Sequence, residues 1–171
     1  METAIVSIIC IALVVFGGMT MSQGLMTSVD ASTSGFEDIG RVNEDIMRTE
    51  FTPVTVSLPA LDTLEITLEN TGQTKITDFD KWDVIVQYYD GISNYHVEWL
   101  PYIEGTPGNN EWEVVWIRLD GEDEVFEPNV FNPGEQILLR AKVSPAIGSD
   151  TTNMVIVATP AGITASTYFS P

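Results

Sequence analysis

The chain of 171 residues carries 25 acidic and 7 basic side chains, a formal net charge of −18, and a single cysteine and a single histidine. That field repels a phosphate backbone or an anionic lipid surface, which argues against nucleic acid as a partner. Cys10 alone cannot form an intramolecular disulfide, and a zinc site built of histidine and cysteine ligands is excluded by count.

Thr3 to Val29 contains no charged residue. As a helix it would be roughly 40 Å long, more than the roughly 30 Å hydrocarbon core of a bilayer. Ile5, Val6, Ile8, Ile9, Ile11, Leu13, Val14, Val15 and Phe16 leave it no polar face. A helix that is apolar all round must be covered on every side, by lipid or by protein. Three readings compete. A secretory signal peptide needs a basic start, yet the first positive side chain is Arg41. A single-span anchor would have poorly set orientation, with no basic flank on its N-terminal side. The third is an assembly helix that leaves the membrane and packs with copies of itself in a filament core. It fits best, because a chain that has lost a basic leader would look like this. Cys10 sits inside the run and reads as a packing thiol.

Gly17, Gly18 and Gly24 fall in the second half of this run. Each lowers helix propensity by about 1 kcal/mol and lets neighbouring helices approach closely. Thr20, Ser22, Gln23, Thr27 and Ser28 can bond back to the backbone or across to another helix. Phe36, Ile39, Val42 and Ile46 then recur at helical spacing. Arg41 and Asp45 are four apart and can pair, while Ser34 and Glu37 have capping-box spacing. The expectation is a long helix ending near Arg48, with a bend or break around residues 31–35, stopped by Pro53.

From Thr52 the period becomes two. Val54, Val56 and Leu58 alternate with Thr55 and Ser57, and Leu64, Ile66 and Leu68 with Glu65 and Thr67. Further strands are expected at Asp83–Tyr89, Tyr95–Leu100, Glu113–Leu119, Gln136–Val143, Met154–Ala158 and Ile163–Tyr168, separated by Asn-Thr-Gly, Asp-Gly, Pro-Gly and Ala-Gly turns. Short alternating strands at this spacing predict an antiparallel immunoglobulin-like β-sandwich. One sheet alone would expose its apolar face, so a second layer is favoured. Trp82, Trp99, Trp112 and Trp116 can close such a core, or face a neighbouring subunit. The chain is thus α+β: an assembly or transmembrane helix over residues 1–50 and an outer sandwich over 51–171.

No residue set carries catalysis. His96 alternates with Tyr95 and Val97 and is expected to face solvent. A Ser-His-Asp triad would have to use it, and no nucleophile elbow accompanies it. Asp120, Glu122, Asp123, Glu124 and Glu127 form the densest acidic cluster, but their spacing does not match an EF-hand loop and reads as a solvated hairpin turn. There is no phosphate-binding glycine loop and no Asn-x-Ser/Thr sequon; Asn70 is followed by Thr71 and Gly72. Neither an enzyme nor a cofactor is expected.

An apolar N-terminal helix followed by a sandwich resembles the archaellins, archaeal flagellins that assemble like type IV pilins. LEITLENTGQTKITDFDKWDVIVQYYD at residues 64–90 is similar to the archaellin strand-turn-strand unit around Asn70-Thr71-Gly72. FNPGEQILLRAKV at 131–143 and MVIVATPAGITASTYF at 154–169 resemble that family's closing strands, and minor archaellum proteins share the pattern. The resemblance implies a prepilin-type peptidase that removes a leader and leaves Met1 as the mature terminus. It implies a membrane-inserted precursor, a homopolymer of identical subunits on the cell surface, and an assembly motor at its base. Filament-core contacts would come from Ile5, Ile8, Ile9, Ile11, Leu13, Val14, Val15, Phe16, Gly17 and Gly18. Two departures stand out. Type IV pilins carry glutamate at the fifth mature position, where this chain has Ile5, its acid being Glu2, and the sequon of glycosylated archaellins is missing. The alternative role is a membrane-anchored minor archaellum protein, or a module that docks its sandwich on the envelope.

Overall fold

The computed structural model describes residues 2–171, except for the side chain of Glu2. The expectations placed on the Met1 terminus and on the Glu2 carboxylate lie outside the described residues. Two compact units divide the chain, the first ending at Glu44 and the second running Asp45–Pro171.

Helix α1 spans Glu2–Arg48 without interruption. The expected break at residues 31–35 does not occur. The hydroxyls of Ser32, Thr33 and Ser34 each donate to a carbonyl four residues back, at Ser28, Val29 and Asp30, and none caps a new helix. Ser34 therefore behaves as an interior helix residue rather than an N-cap. Arg41 pairs with Asp38, one turn back, and not with Asp45 as its spacing allowed.

The second unit is a two-sheet antiparallel sandwich. One sheet has the order β1-β2-β7-β5-β6 and the other β4-β3-β8-β9. The strands are β1 Thr52–Ala60, β2 Thr63–Glu69, β3 Asp83–Tyr89, β4 Tyr95–Leu100, β5 Glu111–Leu119, β6 Glu122–Asp123, β7 Gln136–Lys142, β8 Asn153–Ala158 and β9 Thr164–Phe169. Alternation supplies the inner faces. Leu64, Ile66 and Leu68 on β2 and Ile137, Leu139 and Ala141 on β7 are buried from one side; Val84, Val86 and Tyr88 on β3 and Val155 and Val157 on β8 are buried from the other. Trp82 and Trp112 lie in this core, whereas Trp99 is exposed. Phe51 stacks on Trp82 at 5.7 Å and Phe79 meets its edge at 5.1 Å, closing the core just ahead of β1 and β3.

β4 departs from expectation. His96, Glu98 and Leu100 point inward, and Tyr95, Val97 and Trp99 face solvent. The register decides it: Leu100 pairs with buried Val84 and His96 with buried Tyr88, so the more apolar set lies outside. β6 was also unforeseen. It is two residues long and forms by a Asp120-Gly121 hairpin turn with φ of 52° and 88°, the left-handed pair that Asp-Gly favours.

The Asn70-Thr71-Gly72 turn holds the end of α1. Asn70 is buried; its Nδ2 donates to Thr74 O and Phe131 O, both at 2.9 Å, and its Oδ1 accepts from Gly72 N at 3.1 Å. Gly72 N then donates to Glu50 O at 2.9 Å and Gln73 N to Arg48 O at 2.7 Å. A Cβ on Gly72 would fall 2.5 Å from Glu50 N and 2.7 Å from Arg48 O, so only glycine lets the two backbones meet. Asn70→Ala strips these bonds from buried carbonyls and should cost about 2–3 kcal/mol, read by urea unfolding of the full chain in detergent. Gly72→Ala should lower the melting temperature through the backbone clash, and an unchanged melt in either variant would contradict this account.

Candidate functional site

The surface of α1 is the first candidate. Within Thr3–Arg48 an 18-residue window reaches a mean hydropathy of 2.5, and none of that window is buried by the chain itself. Ile5, Ile8, Ile9, Ile11, Leu13, Val14, Val15 and Phe16 are all exposed, Phe16 to 70%. No side or main chain lies within reach of a Cβ built at Gly17 or Gly18. Three hydroxyls on this stretch are already paired with the helix backbone. Ser7 donates to Thr3 O at 2.9 Å, Thr20 to Gly17 O at 3.0 Å and Thr27 to Gln23 O at 3.0 Å. These hydroxyls need no water, so the helix can enter an apolar environment with them paired. All ten residues expected to make core contacts therefore lie on one helix, solvent-facing in the isolated chain.

In the sandwich, the main polar constellation surrounds Asp90, at the end of β3. Asp90 is buried. Its Oδ1 accepts from Ile92 N at 3.0 Å and Asn94 N at 2.8 Å; its Oδ2 takes Asn94 Nδ2 at 3.0 Å and lies 3.1 Å from His96 Nε2. Burial alone would raise the Asp90 pKa, but the bonds from His96, Asn94 and Ile92 together outweigh it and bring it down to about 2. His96 is therefore half-buried rather than solvent-facing. It stacks on Tyr88 with ring centroids 5.1 Å apart and lies 3.9 Å from Glu98. Burial, helped by the charges of Glu98 and Asp90, pushes the Tyr88 phenol up to about 12. Among the described residues no serine, threonine or cysteine is hydrogen-bonded to this histidine, so the cluster locks the 90–96 hairpin and does not form a triad. The adjoining groove of about 460 Å³ is lined by Leu61, Ile92 and Ile147, with Asp90 already engaged.

The acidic cluster lies at the β5–β6 hairpin. Asp123 pairs with Arg118 at 2.6 Å, Glu127 with Lys75 at 2.6 Å, and Glu124 Oε1 accepts from Phe126 N at 2.6 Å and Glu127 N at 3.0 Å. No group of three His, Cys, Asp or Glu side chains converges on a metal position among the described residues.

The two outer sheet faces differ in kind. On the β2-β7-β5 face, Arg140 bridges Glu65 at 2.8 Å and Glu113 at 3.3 Å, and Arg118 stacks over Trp116 at 4.6 Å. The opposite outer face, over β4-β3-β8-β9, presents Trp99, Val97, Tyr95, Tyr89 and Tyr168 to solvent. This second surface is not evident in the sequence, where alternation sets Tyr95 and Val97 opposite a solvent-facing His96 and leaves Trp99 to the core or to a neighbouring subunit.

No protein-family model matches the chain, and no curated protein matches it. Among solved structures, it is similar to the archaellum periplasmic stator protein FlaG from Sulfolobus acidocaldarius, with TM-score 0.54 and 20% identity over 71% of this chain and 99% of that one. It is similar to the stator complex of FlaF and FlaG from the same organism, with TM-score 0.55, 20% identity and 71% and 89% coverage. Archaeal flagellin FlaB1 from Methanocaldococcus jannaschii aligns with TM-score 0.49 and 17% identity over 71% of this chain and 89% of that one. The chain shares its fold with the archaellum stator protein FlaG.

Asp90 predicts an acid limb in stability. Its folded pKa, about 2, lies below its ordinary 3.8, so its contribution is complete above roughly pH 4 and is lost as pH falls through about 2. Thermal melts of the full chain between pH 7 and pH 2 should show this limb, and Asp90→Asn should be less stable at pH 7 but converge on the parent at low pH. A constant offset at every pH would refute the assignment.

Proposed function

We propose that this chain is a non-enzymatic structural component of an archaellum-type surface assembly. More specifically, we read it as a subunit of an extracellular filament. The stretch Ile5 to Gly18 packs against identical helices in the filament core, and the sandwich forms the outer layer. The observation that carries this is the segment Thr3–Val29, uncharged, apolar on every side and uncovered by its own chain. The sandwich meanwhile completes its own core. A polymer of this kind needs head-to-tail, open contacts, which a helix presenting the same apolar surface all round supports. Before assembly the same segment resides in the membrane, whose thickness it exceeds. By resemblance, a prepilin-type peptidase processes the precursor and a motor assembles the product.

The likeness of the sandwich to FlaG favours a second reading, a membrane-anchored stator-type module. There α1 stays in lipid and the sandwich binds a partner outside the membrane, as FlaF accompanies FlaG in their complex.

One substitution separates these. Val14→Asp places an unpaired carboxylate in the packed helix and should abolish polymer formation, because burying a lone charge is prohibitive. Electron microscopy of material shed without detergent is the readout. Polymers of the parent chain that vanish in the variant support the filament subunit. Parent protein released only by detergent, as single chains or a small complex, supports the anchored module, and polymers that persist in Val14→Asp overturn the core-packing role.

A further inference from the structure

We infer that the outer face of the β4-β3-β8-β9 sheet is a docking surface for a second copy of this chain, packed face to face about a two-fold axis along the strands. Its chemistry sets it apart. The chain carries net charge −18, yet across the strand positions of this face Asp83 is the one ionised group. Like-charged copies approach most easily where charge is absent. Surfaces that meet other proteins are enriched in Tyr, Trp and Met and depleted in Lys, Glu and Asp.

The pairing register orders the face into rows. One row reads Trp99, Ile85, Ile156, Ser166 from β4 to β9. A two-fold axis along the strands reverses that order in the partner. Each Trp99 then lies over the other copy's small Ser166, and each Ile85 over its Ile156. The next row, Val97, Gln87, Met154 and Tyr168, reverses to set Val97 against Tyr168 and Gln87 against Met154. Within each row a large side chain at one edge meets a smaller one from the other edge, Trp99 over Ser166 and Tyr168 over Val97, which makes the face complementary to itself, as an isologous contact requires.

The exposed aromatics are held in place. Trp99 Nε1 donates to Asp83 Oδ1 at 2.8 Å and Tyr95 Oη to Gln87 Oε1 at 3.0 Å, so both rings reach across from β4 to β3. Anchors fixed before contact lose little freedom on binding. Four strands at ~4.8 Å spacing and ~3.3 Å per residue make a face of about 400 Å². A stable dimer buries about 800 Å² on each partner. This contact is therefore weak between free molecules and forms where α1 confines the sandwiches together. Lipid confines them in this way, so the contact belongs to the membrane-inserted chain and is distinct from the head-to-tail contacts of a filament.

The test uses the full chain with Cys10→Ser, reconstituted in neutral phosphatidylcholine vesicles. Gln87→Cys chains are mixed with Met154→Cys chains and oxidised; Thr67→Cys, on the opposite outer face, is the control. Disulfide dimers from the mixed pair, absent from the control and lost when Trp99→Glu or Tyr168→Glu is added, support the face. Both added charges sit at exposed positions, 57% and 73% accessible, and a retained melting transition shows that the variants fold. Absence of mixed dimers, equal cross-linking of the control, or dimers indifferent to both charges would overturn it, the first also if another protein occupies the face. Filament formation is scored separately by electron microscopy, so loss of polymers and loss of this contact are read independently.

Discussion

Water is the constraint behind this molecule. Thr3–Val29 has no charge to solvate, an unbroken apolar surface from Ile8 to Met19 and no intrachain partner to hide against. At about 25 cal/mol per Å² of apolar surface, such a helix cannot remain in water as an isolated rod. The hydroxyls of Ser7, Thr20 and Thr27 are already bonded to their own backbone, which lowers the cost of moving the helix to lipid or to a helix bundle. The sandwich is built the other way. It encloses Trp82, Trp112 and the inner rows of β2, β7, β3 and β8, and leaves most of its charges outside, with Asp90, Glu113 and Glu135 the buried ones.

Much of this was legible in the residues. The apolar run marks the helix because nothing charged interrupts it, and Val54–Leu58 and Leu64–Leu68 mark strands because their period is two. Asn70-Thr71-Gly72 reads as a turn from its residue types alone. What stayed hidden was tertiary. The Ser32–Ser34 run could end a helix or continue it; in the structure its hydroxyls bond back to residues 28–30, as at interior helix positions. On β4, alternation separates His96 from Val97 but does not say which set is inside. Hydrophobicity chose Tyr95, Val97 and Trp99, whereas the register with β3 chose His96, Glu98 and Leu100.

That inversion has a physical logic. Glu98 and His96 are tolerated on the inner side because β4 is an edge strand, and Asp90 lies 3.1 Å from the imidazole. Trp99 and Tyr95 are tolerated outside because each has a polar partner on β3. The domain is thus asymmetric: one broad face is laced by Arg140, Glu65 and Glu113, and the other is nearly free of charge. A −18 chain that associates with its own kind needs such a division, since ionic strength alone would otherwise govern every encounter.

The bracket at Gly72 has a mechanical meaning. Arg48 and Glu50 are tied to the Asn70 turn by two main-chain hydrogen bonds, and Thr49 Oγ1 meets Thr74 Oγ1 at 2.5 Å. A pull arriving at Arg48 therefore loads the loop between β2 and β3 before it reaches β1, and the sandwich keeps the start of its first strand fixed.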